Sequence, residues 1–151
     1  MRRSVILMAL IGVLGTGLAW HNTRTEYIEL YVDYGPLGGG TSIQYIPTAK
    51  NMTAYEVLAS VGLTTQGTVE YGDAIICRVN GVPDATEESC DSMPPAESYW
   101  AVLIKEHEFI PMPLNLTGEW GWAQTGADEI MLKPGDALGL VFADNGEVKL
   151  P

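Results

Sequence analysis

Basic residues are scarce in this chain. Eight Lys and Arg stand against 19 Asp and Glu in 151 residues, a formal net charge of −11. Phosphate contacts need clustered Lys and Arg, so nucleic acid is excluded as a partner. Histidine is rarer, with His21 and His107 alone. No Gly-x-Ser-x-Gly elbow occurs, and Ser92 and Ser98 stand in loop-like sequence with no evident base. Serine hydrolase chemistry therefore has no carrier. Only two cysteines are present, and the histidines join them at no recognisable metal-ligand spacing. Long apolar runs are missing too: none reaches the roughly 20 residues a membrane helix needs. The apolar fraction, 46%, nevertheless sits near the globular norm and excludes wholesale disorder. The length suits one domain with its own core.

The few cations are unevenly placed. Arg2, Arg3 and Arg24 precede the first acidic residue, Glu26. Residues 26–151 then hold five basic residues against all 19 acidic ones, a formal charge of −14. Arg2-Arg3 followed by an apolar stretch from Val5 to Trp20 reads as a targeting segment. Gly17 and Ala19 suit the −3 and −1 positions of a signal peptidase site, with cleavage after Ala19. Residues 1–19 are expected to be a signal peptide, or an N-terminal anchor if uncleaved. Any membrane attachment would run through that segment alone, and a secreted or extracytoplasmic location follows in either case. In an oxidising compartment Cys77 and Cys90 are expected to form a disulfide, closing a loop worth about 3 kcal/mol in the chain-entropy argument.

Alternation predicts strands at Tyr27–Tyr34, Thr41–Ile46, Ala74–Val79, Tyr99–Ile104 and Ala137–Phe142. Thr53 and Glu56 have capping-box spacing, Met52 and Val57 the spacing of a hydrophobic staple. Ala54, Val57, Leu58 and Val61 form one apolar stripe before Gly62, which predicts a helix of about ten residues. Asn80-Gly81, Lys133-Pro-Gly-Asp136 and Asp144-Asn-Gly146 read as turns. The order describes an α+β, β-grasp-like domain: a mixed sheet of about five strands with one helix on one face. The first and last strands are expected side by side in its middle.

Certain motifs resemble a known family. Arg78-Val-Asn-Gly81 after a strand, Tyr99-Trp100 opening the next, and Gly126-Ala-Asp-Glu with Leu132-Lys-Pro-Gly-Asp136 before the last strand resemble the transcobalamin-like C-terminal domain. The order Cys77, Cys90, then Pro94 to Trp100 is similar to an actinobacterial form with its own cysteine pair. The resemblance spans residues 26–143 and implies an exported β-grasp module that binds or adheres, with a corrinoid as one possible ligand. The chain departs from the cobalamin carriers in lacking their helical barrel domain. It also carries an extended insert from Glu106 to Gly121.

Other chemistry was weighed against simpler readings. Gly38-Gly-Gly40 lacks the Lys-Ser/Thr of a phosphate loop and reads as a hairpin turn. Asp84, Glu87, Glu88 and Asp91 invite Ca²⁺ or a glycosidase pair, but match no calcium loop and read as a solvated charge run. The aromatic residues are more informative. Trp100 reads as core beside the disulfide, while Trp120, Trp122, Phe109 and Tyr99 gather at the insert as candidate ligand-binding residues. The competing reading has the two tryptophans capping an open edge of the sheet. The expected function is a non-enzymatic binding module with no catalytic or metal residues, recognising a small molecule or cell-envelope component. A structural or adhesive surface module is the alternative, and an envelope glycan-acting enzyme the third reading.

Overall fold

A computed structural model describes residues 26–105 and 120–149. Residues 1–19, with the expected leader, lie outside the described residues, as do Phe109 and most of the insert. The chain runs through β1 (Tyr27–Asp33), β2 (Thr41–Pro47), β3 (Met52–Thr53), α1 (Ala54–Ser60), β4 (Thr65–Thr68) and β5 (Gly72–Val79). It continues with β6 (Trp100–Lys105), β7 (Gly121–Trp122), β8 (Met131–Leu132) and β9 (Ala137–Phe142). The result is an α+β fold with a five-stranded mixed sheet and a single α-helix among the described residues.

The sheet order is β2-β1-β9-β6-β7. β1 and β9 pair in parallel at its centre, and the other contacts are antiparallel. The first and last long strands are thus neighbours, as the element order predicts. All six residues of β9 are buried, the signature of a strand covered on both faces. Alternation divides the sheet. Ile28, Leu30 and Val32 of β1 and Leu138, Leu140 and Phe142 of β9 face α1, where Val57 and Leu58 complete the core. Fully burying each such side chain contributes about 1.5–3 kcal/mol.

Local chemistry explains the helix. Thr53 accepts from the Glu56 amide at 3.1 Å, and Glu56 Oε2 accepts from the Thr53 amide at 2.8 Å, which makes the capping box. At the other end the Leu63 amide reaches the Leu58 carbonyl and the Gly62 amide that of Ala59, around a left-handed Gly62. This Schellman closure ends the helix after seven residues, not the ten that the apolar stripe predicts. Asn80 and Gly81 both have positive φ, and the Val79 and Val82 amides and carbonyls exchange hydrogen bonds across them, a two-residue hairpin turn.

One strand is redistributed relative to expectation. β5 leaves the main sheet to pair with β4, and the fifth place falls to the two-residue β7. β3 and β8 form a second small ribbon beside the start of the helix. The Cys77–Cys90 disulfide joins β5 to the following loop, with Cα atoms 5.8 Å apart.

Candidate functional site

The expected aromatic site falls on the sheet face opposite α1. Trp122 lies directly across from Leu103 on β6, and Trp120, two residues earlier, shares its side of the chain. Tyr31, Ala101, Leu103, Trp120, Ala137 and Val141 make a second buried cluster there, with Tyr99, Trp122 and Val148 packed at its rim. The arrangement depends on Gly139 in the middle of β9. A Cβ at that position would stand 3.0 Å from the Trp120 ring and 3.2 Å from Leu103 Cβ, so glycine lets the indole approach the strand.

The two tryptophans differ in environment. Trp120 is 4% exposed, its ring 6.3 Å from that of Tyr31, with the Lys105 ammonium 5.8 Å from its centroid. That distance is within cation–π range. Trp122 is half-buried and stacks on the half-buried Tyr99 with centroids 6.3 Å apart and planes at 28°. Tyr99 and Trp122 therefore present ring surface to solvent, and Trp120 acts as cover for the sheet. Burial raises the Tyr31 phenol above its ordinary range, and the neighbouring Asp33 charge adds to the rise. Trp100 faces the other way, its ring in edge contact with Tyr34 and Phe142 and its Nε1 donating to the Val82 carbonyl.

A small cleft lies at the C-terminal ends of the parallel strands β1 and β9. It measures about 250 Å³ and is lined in part by Asp33, Val141, Phe142, Asp144, Glu147 and Lys149. Pockets that enclose a drug-sized ligand measure about 300–1,000 Å³, so this one suits a small polar group at most.

The acidic loop after β5 is exposed and braced by hydrogen bonds within itself. Asp84 Oδ1 accepts from the Thr86 amide at 2.7 Å and from its hydroxyl at 2.5 Å. These bonds hold the Asp84 carboxyl below the usual carboxylate range. Glu87 accepts from the Asp84 amide and Glu88 from the Cys90 amide. Among the described residues no group of three His, Cys, Asp or Glu side chains is placed to hold a metal.

Arg78, which opens the Arg78-Val-Asn-Gly81 motif, is a cation buried in β5. Its Nε donates to the Pro83 carbonyl at 2.9 Å, Nη1 to Gln66 Oε1 at 2.7 Å, and Nη2 to the Glu88 carbonyl. With the disulfide, it fixes the acidic loop against the β4–β5 ribbon. The available signal was one basic residue amid the apolar run Ile75 to Val79.

No family model, curated protein or solved structure gives a significant match to the chain. The transcobalamin-like resemblance thus rests on the motifs alone. The disulfide fits an extracytoplasmic location, and no helix among the described residues is long and apolar enough to cross a membrane.

Proposed function

We propose that the chain is an exported, non-catalytic binding module of β-grasp type, related to transcobalamin-like domains, whose recognition surface is the aromatic sheet face. The observation that carries this reading is the stacked Tyr99–Trp122 pair, partly exposed on a rigid sheet. Aromatic faces bind flat partners through dispersion and ring electrostatics, at little entropic cost when the rings are held in place. The open position suits the face of a sugar, a corrinoid ring or an extended envelope polymer better than an engulfed small molecule. The β-grasp description is supported by the terminal strands lying parallel in mid-sheet, with one helix crossing the opposite face. Export is supported by the leader pattern and by the disulfide. Asp84, Glu87 and Glu88 accept hydrogen bonds from their own loop, which fits a solvated, self-bonded charge run and supports a non-catalytic role.

A structural or adhesive role is the second reading, favoured by the burial of Trp120, which leaves half of the expected platform as cover. Titrating tryptophan fluorescence with hydroxocobalamin, haemin and soluble envelope glycan separates the two. Binding predicts saturable quenching by at least one probe that weakens at least about tenfold, or 1.4 kcal/mol, in Trp122→Ala. Equal responses of wild type and variant would remove the basis for the first reading and leave the second.

A further inference from the structure

The two edges of the main sheet differ. One ends in β7, two residues long, and very short edge strands are a common protection against unwanted pairing. The other is β2, seven residues with no strand on its outer side among the described residues. Charged side chains usually guard such an edge. Here no charged residue occurs between Asp33 and Lys50, in a body of formal charge −14. Ile43 and Tyr45 are 53% and 57% exposed, and Tyr27 packs edge-on against Tyr45 with centroids 5.0 Å apart.

The hydrogen-bond phase of β2 is set by the bonds at its ends. The Thr48 amide donates to the Glu26 carbonyl and the Tyr34 amide to the Gly40 carbonyl, and the register between them is unbroken. In an antiparallel ladder hydrogen-bonded pairs alternate, so Ser42, Gln44 and Ile46 turn their backbone groups toward β1. Thr41, Ile43 and Tyr45 turn theirs outward. Pro47 has the outward phase and no N–H to offer, so it closes the ladder at one end. The glycine-rich turn before Thr41 closes the other.

We propose that this edge pairs with β2 of a second copy of the chain, antiparallel about a twofold axis through Ile43. The outward ladder is symmetric about that residue. A copy set this way opposes Ile43 to Ile43 and Thr41 to Tyr45, and uses every outward donor and acceptor between Thr41 and Tyr45. The absence of charge is what permits two acidic bodies to meet here. Across the joint the nearest carboxylates in one row are Glu29 and the second copy's Asp33, opposite Tyr45 and Thr41 in the register. Three strand spacings separate them, about 14 Å, beyond the screening length of about 8 Å at physiological salt. A basic partner would be drawn to the carboxylates elsewhere on the molecule, not to this neutral strand. The pairing stands independently of the ligand proposed above and joins two aromatic faces into one sheet.

Sedimentation velocity of the exported protein over a wide concentration range tests the pairing. The expected result is a reversible monomer–dimer equilibrium. Hydrogen exchange at the Ile43 and Tyr45 amides should slow as concentration rises, while the Gln44 amide, already bonded to β1, keeps its rate. Ile43→Lys, which opposes like charges across the ladder, should raise the dissociation constant at least about tenfold. Ile43→Pro removes an outward N–H without touching the β1 bonds and should act in the same direction. Val69→Lys adds the same charge at a position 82% exposed outside the sheet and should leave the dimer in place. A monomer at every concentration, concentration-independent exchange at Ile43, or a dimer equally tight in both Ile43 variants overturns the proposal.

Discussion

At the residue scale, environment divides chemically similar side chains. Trp120 and Trp122 are two residues apart in one short motif, yet one is buried and the other is only half-buried. Their shared side was legible from strand alternation. The burial of Trp120 was not, because it depends on Gly139, nineteen residues later, leaving room over the centre of the sheet. Tyr55 makes the same point electrostatically. Its hydroxyl donates to the Asp73 carbonyl at 2.6 Å, and burial, with the charges of Asp73 and Asp128, pushes its pKa up to about 12 from 10.0. The fold thus favours the protonated phenol. Its contribution is complete below pH 10 and is lost as pH rises through 12, because the unfolded chain releases the proton first. Alkaline denaturation followed across that window should show a steeper fall in stability for wild type than for Tyr55→Phe. Coincident curves would remove Tyr55 from the pH response.

At the element scale, the features with strong local chemistry were those the sequence revealed. The capping box starts α1 and Gly62 ends it; the Asn80-Gly81 turn closes where the dipeptide predicts. β3, β7 and β8 have two residues each, too few for alternation to appear, and exist only through pairing with a distant partner. β4 reads as a polar Thr-Gln-Gly-Thr run and becomes a strand against β5, through an irregular register. The disulfide was legible from the count of two cysteines together with the leader pattern expected at residues 1–19. It is separated by 13 residues and buried at both ends, and it acts with Arg78 on the same loop. Reduction is predicted to lower stability by about 3 kcal/mol and the unfolding midpoint by roughly 10 °C. Calorimetry with and without reductant measures this directly. An unchanged midpoint, or free thiols in the purified protein, would contradict it.

At the scale of the whole molecule, the α+β class and the central pairing of first and last strands follow from the order of the elements, and the all-apolar β9 lies where both faces are covered. Sheet membership did not follow, since β5 and β7 exchange places according to long-range packing that no local pattern encodes. The same division applies to the candidate site. Tyr99 and Trp122 are legible as aromatic residues near the insert, but their stacking depends on strand β6 meeting β7. The molecule that results has a helix-covered face that holds the core and an opposite face rimmed by partly exposed rings. Recognition through that rim is the central claim. Its most direct test is co-sedimentation of the purified, disulfide-bonded protein with envelope fragments of the producing cell. Wild type and Val69→Ala should sediment with the fragments, and Trp122→Ala and Tyr99→Ala should stay in the supernatant while keeping the wild-type circular dichroism spectrum. Equal sedimentation of all four proteins, or of none, would contradict the claim.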